Sequence, residues 1–472
     1  METKSRKSVS KRKKETEHKQ QDATERLFAY IKEGTSPYQV VQNSAKLLAE
    51  AGFQSLDFRG KWKLQKGKSY YTIPFGTTIF AFRVGGKVSE EPYFKMASAH
   101  SDHPGFRIKP IAEMSEKEYL KLDTESYGGV ILNTWMDRPL AIAGKVCLRS
   151  DDVYAPDIIY MDTKRPVVTI PNLAIHMNRD VNKGVELNKQ TEMNPLFGMK
   201  PEENAKTAEQ QGNQKEEDHS GSEDFVRDFF KAYVARMLEV SKDEILDFDL
   251  YLYCAEEGCT IGVQDEFISS PRLDNLTSAE ALVYGITQSS IHAKTAEDIA
   301  VIAIYDNEEI GSRSKQGADS TLTNLFLEKL MNGLGYDHMA YQDAVLRSFL
   351  LSVDVSHCMH PNYAAKNDPV NLCYLNKGIV IKIDSTQKYA SDTEAVSIVQ
   401  QLCDKNSIPY QKFVNRSDGT SGSTLGSIQS SWLPMKTVDL GVPLLAMHSA
   451  RELMGREDQK ALEELMCAYF GA

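Results

Sequence analysis

Val301-Ile302-Ala303-Ile304-Tyr305-Asp306-Asn307-Glu308-Glu309-Ile310-Gly311-Ser312 is the stretch from which the fold can be read. Its first five residues are apolar without alternation, and the chain then turns at once to acidic groups and a glycine. A run this short and this uniform suits a strand buried on both faces, as in a mostly parallel sheet covered by helices. Four other stretches repeat the pattern. Met96–Ala99 leads into His100 and Asp102, and Phe349–Val353 into Asp354; Ile379–Ile383 contains Lys382, and Val442–Met447 leads into His448. In open α/β sheets, ligands gather beyond the carboxyl ends of the strands. Five candidate strands with metal-type residues at or near their ends therefore predict an α/β fold with a polar site along one sheet edge.

Between the first strand and the rest, the stretch 103–261 has a different character. Short alternating segments, Gly128–Gly129, Pro166 and Pro171 predict a β-rich insertion. Within it, Lys200 to Asp224 has no apolar residue except Ala205 and Ala208, which predicts a mobile polar loop over 200–224. Phe225, Val226, Phe229, Phe230, Tyr233, Val234, Met237 and Leu238 then follow a helical period. Residues 1–20 carry eight Lys or Arg against Glu2, Glu15 and Glu17 and almost no apolar anchors, so they read as a disordered basic tail.

Composition narrows the function classes. The chain has 472 residues, 41% hydrophobic and 26% charged, with a net charge of −11. That is ordinary for a globular protein of two to three domains, and it argues against a nucleic-acid partner. No apolar run approaches the roughly 18 residues of a membrane span, and no apolar signal core begins the chain. Seven cysteines without a C-x-x-C pair read as reduced thiols in a cytoplasmic protein.

The adjacent pair Glu308-Glu309 can split its duties at a strand-to-loop bend, one carboxylate binding a metal and its neighbour facing a water. Metal-assisted hydrolysis needs that division into ligand and general base. His100-Ser101-Asp102 pairs an imidazole with a carboxylate able to orient it. Asp354 precedes His357 and His360, and His448 closes the last apolar run. Each has a simpler reading alone: an exposed acidic loop for Glu308-Glu309, a surface turn for His100 and Asp102, and a satisfied structural histidine for His448. Asp274, just before the helical stretch Ala279–Tyr284, would serve as an N-cap worth roughly 1 kcal/mol.

Taken together, Ser98-Ala99-His100-Ser101-Asp102, Arg272-Leu273-Asp274-Asn275, Asp306 to Ser312, Asp354 with His357 and His360, and Met447-His448-Ser449 resemble the aspartyl aminopeptidase family, which includes vacuolar aminopeptidase I and related bacterial enzymes. The likeness runs from about Tyr30 to the C-terminus and takes in Asn133 to Arg138, Ala174-Ile175-His176 and Val380-Ile381-Lys382. The resemblance implies a bacterial-type member with a doubly wound, mostly parallel α/β catalytic domain (21–102 and 262–472). A β-rich dimerisation domain (103–261) would interrupt it. It implies two Zn²⁺ per subunit, with Mn²⁺ or Co²⁺ as substitutes. Asp274 would bridge them, His100 and Asp354 completing one site and Glu309 and His448 the other. Glu308 falls at the general-base position, acting on a metal-bridging water, and Asp102 at the position supporting His100. His176 falls where the family uses a neighbouring subunit's histidine on the oxyanion, and His357, His360 and Lys382 line the substrate region. The partners implied are peptides with a free N-terminus and further copies of the chain, as a dodecamer built from dimers.

Leu132-Asn133 and Pro139 depart from the family pattern, and the expectation is that they lie away from every ligand. Asp418 to Gly426 resembles the family's Gly-Ser/Thr-rich loop near the substrate, or is simply a tight turn. Whether the N-terminal residue removed is acidic or a broader neutral one stays open. So do two other functions: a non-catalytic assembly or cargo protein on a peptidase scaffold, and a two-metal carboxypeptidase or deacylase.

Overall fold

The computed structural model describes residues 22–184, 186–200, 220–419 and 422–471. The basic tail 1–20, most of the polar loop 200–224, and Thr420 and Ser421 lie outside the described residues.

Among the described residues the chain is a mixed α/β protein with three sheets. The largest has nine strands in the order Gln54–Ser55, Ser69–Thr72, Ile79–Val84, Ile299–Tyr305, Phe94–His100, Phe349–Val353, Lys436–Gly441, Ile379–Ile383 and Tyr410–Val414. Its four central strands run parallel, and Ile79–Val84 and Ile379–Ile383 flank them antiparallel. Side chains alternate between faces as the pleat requires. Ala300, Ile302, Ile304, Leu351 and Val353 meet Leu27, Leu276, Leu282, Val396 and Leu462 from helices Ala23–Glu33, Leu273–Ser289, Thr393–Asn406 and Arg456–Gly471. Met96, Val301, Ala303 and Leu350 meet Phe326, Leu330 and Val345 from helices Leu322–Gly333 and His338–Arg347. Each fully buried Leu, Ile, Val, Met or Phe among them contributes about 1.5–3 kcal/mol relative to its exposure.

Register fixes where the chemistry falls. Tyr305 pairs with His100, Ser352 with Ser98, and Val353 with Leu440. The strands therefore end level with one another, and Asp102, Asp306 to Glu309 and Asp354 all emerge at one carboxyl edge.

A second, antiparallel sheet orders Asp157–Asp162, Leu140–Leu148, Ile245–Cys254, Gly105–Glu116, Tyr119–Tyr127 and Leu196–Met199. Helix Ser220–Leu238 lies on it, burying Phe229, Phe230 and Val234 against Phe197 and Phe248. The helix begins at Ser220, so the end of the expected polar loop is helical. A third sheet joins Cys259–Ile261, Phe267–Ser270, Glu452–Gly455, Pro443–Leu445 and Ser356–His357.

Two expectations need correction. Val442–Met447 is not a central strand; Lys436–Gly441 takes that place, and Pro443–Leu445 belongs to the third sheet. Thr437 and Asp439 disguised the true strand, because a polar residue at a buried position contradicts the apolar pattern. Asp439 is tolerated there by accepting from the Thr424 hydroxyl (2.6 Å) and the Ala390 N–H (2.6 Å). His448 accordingly sits in a turn after that third-sheet strand, at φ +68°. Asp274 is not an N-cap either. It follows the N-cap position at Arg272 and has non-helical backbone angles, so its carboxylate does not cap the helix.

Candidate metal centre

His100 is the last residue of its strand and is buried. Its Nδ1 lies 2.9 Å from the Asp102 carbonyl oxygen, which can only accept, so Nδ1 is the protonated nitrogen when the ring is neutral. The Nε2 lone pair then faces Asp274 Oδ1 at 3.4 Å, Asp354 Oδ1 at 3.6 Å and Glu308 Oε2 at 3.9 Å. His448 repeats the arrangement. Its Nδ1 donates to the Gly129 carbonyl at 3.0 Å, and Nε2 faces Asp274 Oδ2 at 3.4 Å and Glu309 Oε2 at 3.5 Å. Asp274 thus stands between two imidazoles with one oxygen toward each.

The strands' neighbours hold these groups in place. Asp354 follows Val353, donates its N–H to Leu440 O and accepts from Val355 N–H. Asn275 Nδ2 donates to Val353 O at 2.9 Å, fastening the Asp274 segment to the sheet. The Glu308–Ile310 turn is approached through Asn307, whose φ of +64° a short amide side chain tolerates. Asp102 receives the N–H groups of Glu308 (3.2 Å) and Glu309 (3.1 Å) and the Tyr127 hydroxyl (2.7 Å). It therefore fastens the two-glutamate turn as well as lying beside His100.

Electrostatics show what the cluster lacks. Burial disfavours the imidazolium of His100, yet the carboxylates of Asp102, Asp274 and Asp354 raise its pKa well above the usual value. His448 is likewise raised to about 9, burial being outweighed by Asp274. Burial pushes Glu308 up to about 8, with Asp354 adding and His100 opposing, and drives Glu309 well above the carboxyl range. Asp274 Oδ1 and Glu309 Oε1 are buried without a hydrogen-bond partner among the described residues. Buried carboxylates crowd together at such cost only when paired or coordinating a metal. Among the described residues, His100–Asp274–Asp354, Asp274–Glu309–His448 and His100–Glu308–Glu309 each bring ligand atoms within 4.8 Å of one another. The donor set fits zinc, which binds imidazole nitrogen and carboxylate oxygen.

Other sequence candidates lie around or outside this cluster. Lys382 is buried, donates to Val355 O at 3.0 Å and stands 3.5 Å from Asp354 Oδ2. His357 is solvent-exposed, with its ring 6.3 Å from that of Phe413. His360 Nδ1 accepts from Asn362 N–H, and His176 lies in an exposed turn of the 103–261 stretch. Leu132-Asn133 does not lie away from the ligands, contrary to expectation. Ile131 N–H donates to His448 O at 3.2 Å, and Thr134 accepts from Ala450 N–H at 2.9 Å. Sequence reasoning missed Tyr127, Gly129 and Glu452, which act on the cluster through hydrogen bonds to single atoms. Gly128–Gly129 was visible only as a break between strands.

A largely buried set of imidazoles and carboxylates at the carboxyl edge of the parallel central strands is the arrangement of a metal-dependent hydrolase. Residues 30–470 match the family described as Aminopeptidase I zinc metalloprotease (M18), and the chain belongs to that family. It is by that membership an aminopeptidase, a hydrolase acting at chain ends. A protein of Clostridium novyi (strain NT), "Probable M18 family aminopeptidase 2", is 43% identical over 92% of this chain and 94% of its own. Among solved structures, a chain of "Cryo-EM structure of the Ape4 and Nbr1 complex" matches with TM-score 0.87 and 32% identity, covering 95% of this chain and 85% of that one. The S. cerevisiae mApe1 dodecamer shares the fold, with TM-score 0.79 and 24% identity over 95% of this chain and 96% of its own.

Proposed function

We propose that the chain is a two-metal aminopeptidase that releases N-terminal residues from peptides, with Glu308 as its general base. The observation that carries this reading is Asp274, with Oδ1 3.4 Å from one imidazole and Oδ2 3.4 Å from the other. His100, Asp274 and Asp354 would hold one ion, and Asp274, Glu309 and His448 the second. Such a mixed nitrogen and oxygen set suits Zn²⁺ and could admit Mn²⁺ or Co²⁺. When bound, a pair of this kind lowers the pKa of water and offsets charge developing on the scissile carbonyl.

The remaining work belongs to the protein. Glu308 belongs to neither of the two Asp274-containing sets, so its carboxylate is left over once the other ligands are committed. It takes the proton from the attacking water and delivers it to the leaving amine. Asp102 steadies it through the Glu308 N–H. His357, His360 and Lys382 border the substrate, and the preference is for acidic or broadly neutral N-terminal residues. We further assign residues 21–102 and 262–472 to a doubly wound catalytic domain and 103–261 to a dimerisation domain. His176 would reach a neighbouring copy's site in a dodecamer built from dimers and acting in the cytoplasm. The dodecameric neighbour of the same fold supports this assembly.

The test separates the adjacent glutamates. Glu308→Gln should keep both metals and lose about 10²–10⁴-fold in kcat, the usual contribution of a placed general base. Glu309→Gln should lose about one metal and recover activity with excess Zn²⁺. Metal stoichiometry beside kcat on aminoacyl p-nitroanilides, run against N-blocked peptides, reads both. Full kcat in Glu308→Gln would remove the base assignment, and cleavage of blocked peptides would favour the carboxypeptidase or deacylase reading.

A further inference from the structure

We propose that Glu452 is a positioning residue that couples the two halves of the Asp274–Glu309–His448 site; the proposal rests on the metal-site reading above. Glu452 begins strand Glu452–Gly455 in the third sheet and is buried. Its hydrogen bonds go to the ligands' backbone N–H groups. Its Oε1 accepts the backbone N–H of His448 at 2.8 Å, and its Oε2 accepts the backbone N–H of Asp274 at 3.0 Å. One carboxylate therefore spans two segments that lie far apart in the chain and that supply two of the three ligands of one site.

Both segments need such a tie. His448 sits at φ +68° two residues after Ala446 at φ +56°, and Asp274 lies in the irregular start of its helix. No regular ladder fixes either backbone. By contrast, His100 ends a central strand and Asp354 follows one directly, donating its N–H to Leu440 O. Removing the tie should therefore weaken the Asp274–Glu309–His448 site far more than the His100–Asp274–Asp354 site. A carboxylate is the only side chain of this length with two acceptor oxygens. Glutamine would keep one bond and turn an NH₂ toward the other backbone N–H.

The counter-charge is local. Arg272, buried and two residues before Asp274, donates to Ile31 O at 3.0 Å. With Asp274, Glu452, His103 and Trp135 it lines a cavity of about 10 Å³, near the size needed for a single water. Among the described residues, the Arg272 Nε, His103 Nδ1 and Trp135 Nε1 atoms have no hydrogen-bond partner. Glu452 therefore shares its cavity with three buried donors, and its place is built into the fold.

The experiment is equilibrium metal binding to the full chain in Glu452→Gln, Glu452→Asp and wild type, by chelator competition with Zn²⁺, together with kcat, KM and the Tm of the metal-free proteins. Wild type should bind two equivalents. In Glu452→Gln one equivalent should weaken by about 10–100-fold, the usual effect of losing a group that orients a ligand. The other equivalent should stay near wild type, KM should hold, and kcat should return at saturating Zn²⁺. Glu452→Asp keeps both oxygens on a shorter arm and should fall between. If Glu452→Gln cannot be isolated, Glu452→Asp decides: one selectively weakened equivalent supports the coupling, and wild-type binding overturns it. Two equivalents at wild-type affinity in Glu452→Gln, or equal weakening of both, would also overturn it. Wild-type protein that binds no Zn²⁺ would instead overturn the metal-site reading itself.

Discussion

Replacing Asp102 with asparagine removes one charge and one acceptor while keeping the side chain's shape. In the native chain Oδ1 accepts from Glu308 N–H at 3.2 Å, and Oδ2 accepts from Glu309 N–H at 3.1 Å and from the Tyr127 hydroxyl at 2.7 Å. Asparagine retains one oxygen, so in either orientation one of the two glutamate N–H groups faces an NH₂. A buried donor left unpaired costs about 1–3 kcal/mol, and losing a bond to a charged acceptor carries a comparable cost. His100 is less affected, because its Nδ1 hydrogen bond goes to the Asp102 carbonyl, which the substitution leaves in place. The damage should therefore concentrate in the Glu308–Ile310 turn. If about 3 kcal/mol of positioning is lost there, kcat/KM falls roughly 10²-fold at 1.36 kcal/mol per decade. Tyr127→Phe, which removes a single donor, should cost about tenfold. Steady-state kinetics on an aminoacyl p-nitroanilide, with metal content measured on the same samples, reads the result. Asp102→Asn protein with full metal and kcat/KM within twofold of wild type would refute the reasoning.

Asp274→Ala takes a ligand from both proposed sites at once, so elemental analysis after dialysis should find neither metal retained, whereas His448→Ala should keep about one; full metal content in Asp274→Ala would end the shared-ligand reading. Gly128 has φ +72°, and a Cβ there would lie 3.1 Å from Glu309 Cβ. Gly128→Ala should thus lower stability by about 1 kcal/mol through backbone strain and loosen the second metal, as thermal melts and chelator titration would report. Asp458 is buried, accepts the N–H groups of Asn376 and Gly378, and is raised to about 7 by burial. A raised carboxyl pKa favours the folded state below the ordinary value and loses that benefit as pH climbs toward 7. Chemical denaturation between pH 4 and 7 should therefore show a falling contribution of at most roughly 1.4 kcal/mol per pH unit, which Asp458→Asn abolishes.

Strands Phe349–Val353 and Ile379–Ile383 were legible to the residue, because strands buried on both faces write themselves as short, almost wholly apolar runs even with Ser352 or Lys382 inside them. Lys436–Gly441 was not, since Thr437 and Asp439 find hydrogen-bond partners that no local pattern announces. The cluster around Asp274 could be suspected from residue types at strand ends. Glu452 and Gly129 could not, because one works on backbone N–H groups and the other offers only a carbonyl oxygen. Backbone atoms are the same at every position, so only the folded chain reveals which of them are used.

The proposed ligands run from position 100 to position 448, and Gly129, on which the last of them leans, comes from near the other end of that span. A chain emerging from the ribosome thus displays His100, Asp274 and Glu309 well before the centre can close. On the proposed assignment, the second set of ligands closes only with the final imidazole and the strand that carries Glu452 behind it. A copy that stops short of His448 would lack one of the proposed ligands and the carboxylate behind it, so the Asp274–Glu309–His448 set could not assemble.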